Sequence, residues 1–240
     1  MKKAKKLIVM LPALNEEKAI KKTVNEVPFT ELALRGWEVK ILVIDGRSVD
    51  STVKIAQSLG CDILVQRGEK GKGVGVREGF ELALSESFEA LVMLDVDGTY
   101  SPKDMTKLLD SLENNKNDIV IGSRLRGSLS PDSMSRLNYL GNHLLTWLAV
   151  VLHGPYISDL CTGYWCFKKD AIKTIFPYLN SIRFEIEAEM YAAASTNNLK
   201  IDEVPISYNE RIGEAKLGSI RDGAHIMRKL FTRSIIREPL

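Results

Sequence analysis

The chain is poor in the residues that build structural metal sites and disulfide frameworks. Its 240 residues include three cysteines, Cys61, Cys161 and Cys166, and three histidines, with no Cys-x-x-Cys pair among them. So odd and scattered a set argues against a zinc ribbon or a stapled secreted scaffold, and implies a reducing cytosolic setting. Excess charge is also lacking, since 33 basic and 31 acidic residues give a net charge of +2. No global basic surface argues for nucleic acid, so any charged partner must be met locally. Long apolar runs are missing too. The longest, residues 144–152, is interrupted by Thr146 and falls well short of the roughly 20 residues that span a bilayer. The start, MKKAKKLIVMLPAL, has the basic and apolar parts of a signal peptide. It runs into Asn15-Glu16-Glu17-Lys18 where a small-residue cleavage site is needed, and therefore reads as a first buried strand.

What the chain does have is alternation. Residues 7–11, 39–44, 63–66, 90–94 and 118–121 are apolar at consecutive positions, which suits parallel strands covered on both faces. Helix-period patterns over 16–27, 51–59 and 74–87 lie between them, and Asp50 and Ser51 precede the second as an N-cap does. This predicts right-handed βαβ units in an α/β, doubly wound, mostly parallel sheet with helices on both faces. Residues 127–135, rich in Ser, Pro and Gly, predict a mobile loop. Beyond them the pattern predicts an apolar helix at 137–152 containing Trp147, a short aromatic strand or turn at 163–167, a helix at 181–195 and a strand at 200–208. In residues 220–240, Ile226, Met227, Leu230 and Phe231 recur at helical spacing among Arg228, Lys229, Arg233 and Arg237. The expected division is a domain over 1–219 and a basic amphipathic segment over 220–240, a candidate for a membrane surface.

Sheets of this kind bind ligands beyond the carboxyl ends of their strands. The strand ends here run into Asn15, Glu16 and Glu17, into Asp45, into Asp95 and Asp97, and into Ser123 and Arg124. Asp95-Val96-Asp97-Gly98-Thr99 supports two chemistries. As in haloacid dehalogenase-like phosphatases, Asp95 could be a nucleophile with Asp97 as acid/base, which requires a later acidic pair to complete a Mg²⁺ site. No Asp-Asp pair follows an apolar strand, and three strand-like segments precede the motif. Alternatively, the two carboxylates share a hard cation that keeps room for substrate phosphates.

Five motifs then occur in order. Leu11-Pro12-Ala13-Leu14-Asn15-Glu16-Glu17, Val43-Ile44-Asp45-Gly46-Arg47-Ser48-Val49-Asp50-Ser51-Thr52, Gly71-Lys72-Gly73, Asp95-Val96-Asp97-Gly98 and Ile121-Gly122-Ser123-Arg124 resemble those of family-2 glycosyltransferases, most closely the dolichol-phosphate mannose synthase and polyprenyl-phosphate sugar synthase branch. The resemblance covers about residues 7–220. It implies a GT-A fold, with Pro12, Ala13, Asn15 and Glu16 in the nucleotide-binding turn and Asp45 on the base. It also implies Mg²⁺ or Mn²⁺ and diphosphate at Asp95 and Asp97, with Asp97 the preferred direct ligand, and Arg124 in the phosphate-binding region. Tyr208-Asn209-Glu210-Arg211-Ile212-Gly213-Glu214-Ala215-Lys216-Leu217 resembles the branch's Arg-x-Gly-x-Ser-Lys-Leu element, with Ala215 replacing Ser; Arg211 and Lys216 would bind phosphates. Asp159-Leu160-Cys161-Thr162-Gly163-Tyr164 resembles the Asp-x-x-Ser-Gly-Phe segment near the donor sugar, with two substitutions.

The resemblance thus implies transfer of a sugar from a UDP- or GDP-linked donor to dolichyl or polyprenyl phosphate at the cytoplasmic face of a membrane. It leaves room for a membrane-anchored protein partner. A soluble phosphorylated acceptor, or an inactive partner that binds nucleotide sugars or lipids, are the alternatives. Lys72 reads equally as a donor contact and as a solvated loop charge. Glu185 and Glu189, spaced by four, read as an exposed helix face. The histidines receive no role.

Overall fold

The computed structural model describes residues 4–114, 116–131, 133–213 and 219–239. Its strands are β1 (Lys5–Ala13), β2 (Trp37–Asp45), β3 (Asp62–Val65), β4 (Ala90–Met93), β5 (Ile119–Leu129), β6 (Trp165–Lys168) and β7 (Ile201–Tyr208). They form one sheet in the order β3-β2-β1-β4-β6-β5-β7. The pairings are parallel except those of β6, which runs antiparallel to both β4 and β5.

The helices explain why the central strands are apolar without alternation. On one face, Ile8 and Met10 of β1 join a core with Phe80 of α4 (Lys72–Leu84), Leu145 of α6 (Arg136–His153), Ile172 of α7 (Lys169–Ile175), Tyr191 of α8 (Ile186–Thr196) and Leu230 of α9 (Ser219–Ile235). On the other, Leu7, Val9 and Leu11 meet Ile20 of α1 (Ile20–Asn25), Leu32 of α2 (Phe29–Leu34), Ala56 of α3 (Thr52–Ser58) and Leu108 of α5 (Met105–Asn114). Successive side chains point to opposite faces, and both faces are covered.

The structure departs from the expected elements at several points. The helix expected from residue 16 begins only at Ile20. Asn15 takes a left-handed conformation at φ 52°, and the Glu16 and Glu17 N–H groups are drawn across to Thr52 Oγ1 and Asp50 Oδ2 at 2.7 and 3.2 Å. The loop expected from 127 is strand as far as Leu129, because β5 resumes its pairing with β7 at Ser128 and Leu129 after an irregularity. Gly127 is required there, since a Cβ would lie 1.8 Å from the Ile206 carbonyl oxygen.

The C-terminal segment is seated on the domain through α9. Helix α9 packs on α6 and α8, burying Ile226 and Leu230 in the core. Two of its basic residues turn inward. Arg233 Nη2 and Lys229 Nζ lie 2.9 and 3.1 Å from Glu189 Oε1, and Glu189 Oε2 accepts the N–H groups of Asn180 and Ser181. Glu189 is fully buried, so the exposed face expected for it is a buried anchor instead. Ile220, Met227, Phe231 and Ile235 remain on the surface with Arg228 and Arg237.

Candidate active site

The strand ends converge as the sequence predicts. Behind β1 and β2 two loops are laced together: Asn15 N–H donates to Ser48 Oγ and the Asn15 side-chain oxygen accepts from Val49 N–H, both at 2.9 Å. Gly46 N–H donates to the Ala13 carbonyl at 2.8 Å, directly after Pro12 in β1. Asp45, buried at the end of β2, accepts the N–H groups of Arg47 and Ser48 at 3.1 Å, so its carboxylate is aimed by its own loop. Pro12, Ala13, Asn15, Glu16 and Asp45 therefore share one edge of the crevice.

Asp95 and Asp97 follow β4, the strand beside β1. Asp97 Oδ1 accepts from the Thr99 N–H at 2.9 Å, and its Oδ2 lies 2.7 Å from Arg211 Nη2. The chain after β7 reaches this turn by its backbone: Asn209 N–H donates to the Thr99 carbonyl and Ile212 N–H to the Asp97 carbonyl, at 2.7 and 2.8 Å. Gly98, at φ 79°, leaves the space that Ile212 fills. Arg211 is thus delivered by the segment in which a phosphate-binding cation is expected. Lys216 lies outside the described residues.

Lys72 is neither a solvated charge nor part of a loose loop. It opens α4, and its ammonium lies 2.7 and 2.9 Å from the two oxygens of Asp95 and 2.6 Å from Glu187 Oε1. Its flanking glycines make this approach possible. A Cβ at Gly71 would sit 2.3 Å from the Ile182 carbonyl oxygen, and one at Gly73 2.4 Å from that of Ser181. Burial alone would lower the Lys72 pKa, but Asp95 and Glu187 outweigh it and raise it above the ordinary lysine value. Burial likewise pushes Glu187 up, against the pull of Lys72.

Arg124 and Asp159, expected at the phosphates and the donor sugar, are buried on each other. Asp159 Oδ2 accepts from Arg124 N–H and Nε at 2.8 Å, and Oδ1 accepts from Arg124 Nη2 at 2.7 Å and Asn142 Nδ2 at 2.6 Å. Asp159 has no exposed surface. Glu203, whose pKa burial raises, accepts the N–H groups of Ser158 and Asp159 behind them. Together these groups tie β5, α6 and β7 to the wall of the crevice. Burial also pushes the nearby Cys161 thiol up to about 12, which leaves no thiolate nucleophile there at neutral pH.

The donor set suits a hard divalent ion. Among the described residues no cluster of three or more His, Cys, Asp or Glu could hold a metal. Two aspartates at one turn leave most of an ion's coordination shell to water and donor phosphates, as Mg²⁺-type sites on nucleotides do. Gly163 keeps that approach narrow, since a Cβ there would lie 2.2 Å from Asp95 Oδ2.

The family model described as "Glycosyl transferase family 2" matches residues 8–176, more than half of the chain. The chain belongs to glycosyl transferase family 2. This glycosyltransferase is 33% identical to Glycosyltransferase AglJ of Haloferax volcanii over 97% of its own length and 73% of the relative's. It is 30% identical to the UDP-N-acetylglucosamine–dolichyl-phosphate N-acetylglucosaminyltransferase of Methanococcus voltae, over 85% and 86% of the two chains. Its fold resembles glucosyl-3-phosphoglycerate synthase of Mycobacterium tuberculosis, with a TM-score of 0.72 at 17% identity over 98% and 81% of the chains. That synthase has also been crystallised with Mn²⁺, UDP-glucose and phosphoglyceric acid. The likeness establishes the GT-A architecture. The phosphatase alternative falls with the family assignment.

Glu187, Glu189 and Asn142 were missed as site or anchor residues. Each meets a partner far away in sequence or in a different element, and only the glycines around Lys72 signalled a close approach.

Proposed function

We propose that this glycosyltransferase moves a sugar from a nucleotide sugar to a polyprenyl or dolichyl phosphate, with inversion at the anomeric carbon. The pairing of Arg211 with Asp97 at 2.7 Å supports the reading, because a cation able to bind phosphate then lies beside a carboxylate expected to face the donor diphosphate. The name of the Methanococcus voltae relative supports the same acceptor class.

An acceptor phosphate monoester has a second pKa near 6 and is largely dianionic at neutral pH, so attack requires no general base. Its oxygen forms the new bond to the anomeric carbon as the bond to the nucleoside diphosphate breaks. Asp95 and Asp97 would hold Mg²⁺ or Mn²⁺. The bound ion would neutralise charge on the departing diphosphate. Arg211, with Lys216, gathers the phosphates. Lys72 contacts the donor. Pro12, Ala13, Asn15, Glu16 and Asp45 hold the nucleotide, and the Arg124–Asp159 pair braces the wall rather than touching substrate.

Helix α6 supports a lipid acceptor over a soluble one. Asn142, Leu145, Thr146 and Ala149 face the protein, while Leu137, Leu140, Leu144, Trp147 and Val151 are exposed in a stripe at helical spacing. An unpaired apolar stripe of this kind suits a membrane surface. The exposed residues of α9 add Ile220, Phe231 and Ile235 with Arg228, and Arg237 follows the helix, consistent with peripheral attachment to an anionic leaflet. No helix among the described residues is long and apolar enough to cross a membrane.

The test is a panel of UDP- and GDP-linked sugars with dolichyl phosphate and Mn²⁺, assayed for organic-extractable product, with Asp97→Asn as control. Lipid-linked product from the wild type and at least a hundredfold less from Asp97→Asn is expected. No lipid-linked sugar from any donor would reject the reading.

A further inference from the structure

Glu187 on α8 is a buried acid in the crevice that no motif accounts for. Its side chain is 7% exposed, and its one ion-pair partner among the described residues is Lys72, at 2.6 Å. Lys72 at the same time covers both oxygens of Asp95, at 2.7 and 2.9 Å. The three side chains thus form a row, carboxylate, ammonium, carboxylate, with a formal charge of −1, buried at Glu187 and partly open to solvent at Asp95. One carboxylate is enough to neutralise one lysine, and a second buried one carries a desolvation cost of its own. The second becomes necessary if the first must be given up to another cation.

We infer that Glu187 is a positioning residue that holds Lys72 as an exchangeable counter-ion of Asp95. Without donor, the Lys72 ammonium covers the Asp95 carboxylate. When a divalent ion and the donor diphosphate arrive together, the ion takes Asp95. Glu187 then keeps the ammonium in the crevice, where the incoming phosphates give it a new anion. The backbone cannot retreat, because Gly71 and Gly73 press α4 against the carbonyls of Ile182 and Ser181. The exchange is therefore confined to the torsions of the lysine side chain. Its consequence is that metal and nucleotide bind cooperatively, each removing an obstacle to the other. This inference rests on the reading of Asp95 as a metal ligand.

Charge counting gives the test. Mn²⁺ affinity is measured by titration calorimetry, with and without UDP, on the full chain and on Glu187→Gln, Lys72→Met and the double variant, with melting curves as a check on folding. Formal charge in the row is −1 in the wild type, 0 in Glu187→Gln, −2 in Lys72→Met and −1 again in the double variant. Without UDP, Mn²⁺ should bind about tenfold more weakly to Glu187→Gln and about tenfold more tightly to Lys72→Met, as charges at close range in a partly desolvated site require. The double variant should return to within about threefold of the wild type. It leaves no unpaired buried charge at Glu187, so the comparison survives if Lys72→Met alone fails to fold. UDP should tighten Mn²⁺ binding to the wild type by more than it does to Lys72→Met.

A double variant as weak as Glu187→Gln, the pattern that lost packing produces, would overturn the proposal. So would affinities that do not change across the series while the wild type binds Mn²⁺. Absence of Mn²⁺ binding by the wild type even with UDP would overturn the metal reading itself and this inference with it.

Discussion

Replacing Arg124 distinguishes a phosphate ligand from a structural brace. Asp159 is fully buried, and its carboxylate accepts three hydrogen bonds from Arg124 and one from Asn142. In Arg124→Met the backbone and Asn142 bonds remain, but the charge loses its only ion-pair partner among the described residues. Breaking a buried pair from one side costs about 3–5 kcal/mol. Against a total stability of roughly 5–15 kcal/mol, that is a large share. Urea unfolding followed by circular dichroism should show it as a lowered midpoint. Removing both charges, in Arg124→Met with Asp159→Leu, should recover part of the loss, because the residue-124 N–H and Asn142 Nδ2 are then left without their acceptor at about 1 kcal/mol or more each. Transferase activity should follow stability, low in the single variant and partly restored in the double. The reasoning is refuted if Arg124→Met unfolds at the wild-type midpoint while its turnover falls a hundredfold or more, for then the guanidinium acts on substrate.

Three further outcomes are expected. Gly73→Ala should destabilise the protein by about 1–3 kcal/mol, because its Cβ meets the Ser181 carbonyl at 2.4 Å; an unchanged melting temperature would show that the α4 turn is not tightly seated. Burial holds His153 below the ordinary histidine value, against the Leu230 carbonyl that faces its Nε2 at 3.2 Å. Its contribution to stability is therefore complete above its unfolded pKa of about 6.5 and is lost as pH falls through the lower folded value. His153→Gln should flatten that part of the stability curve, and an unchanged slope in urea titrations at a series of pH values would contradict this. Trp147→Glu, on the exposed stripe of α6, should reduce co-sedimentation with anionic liposomes severalfold at an unchanged melting temperature; equal binding would remove α6 from the membrane contact.

The strands and the rim residues were legible because their information is local. A continuous apolar run reads as a two-sided strand, and the polar residue that ends it falls in the crevice by topology alone. That logic found Asp45, Asp95 and Asp97, and it placed Asn15 and Glu16. Short elements were not legible: α2, α5 and α7 escaped, and the first three residues of the Ser- and Gly-rich stretch from 127 hid a strand whose support is a backbone ladder with β7 rather than an apolar pattern. Charge pairing was the least legible. Two glutamates one helical turn apart usually face water, yet Glu189 lies under Lys229 and Arg233 of α9. Arg124 carried a motif that suggested substrate, and its burial on Asp159 depends on a segment 35 residues away.

Strand β6 is the one described strand that opposes its neighbours, so it presents its beginning to the crevice where the parallel strands present their ends. The chain arriving there has just left α6. Within residues 154–163 it passes from the exposed apolar helix to Gly163, whose N–H donates to the Tyr100 hydroxyl at 2.7 Å and whose bare Cα lies against Asp95. On the proposed reading, one short connector would set both the height at which a lipid acceptor is offered and the width left for the sugar. An insertion or deletion in it would alter acceptor and donor geometry together, so in this architecture the two specificities are expected to change jointly.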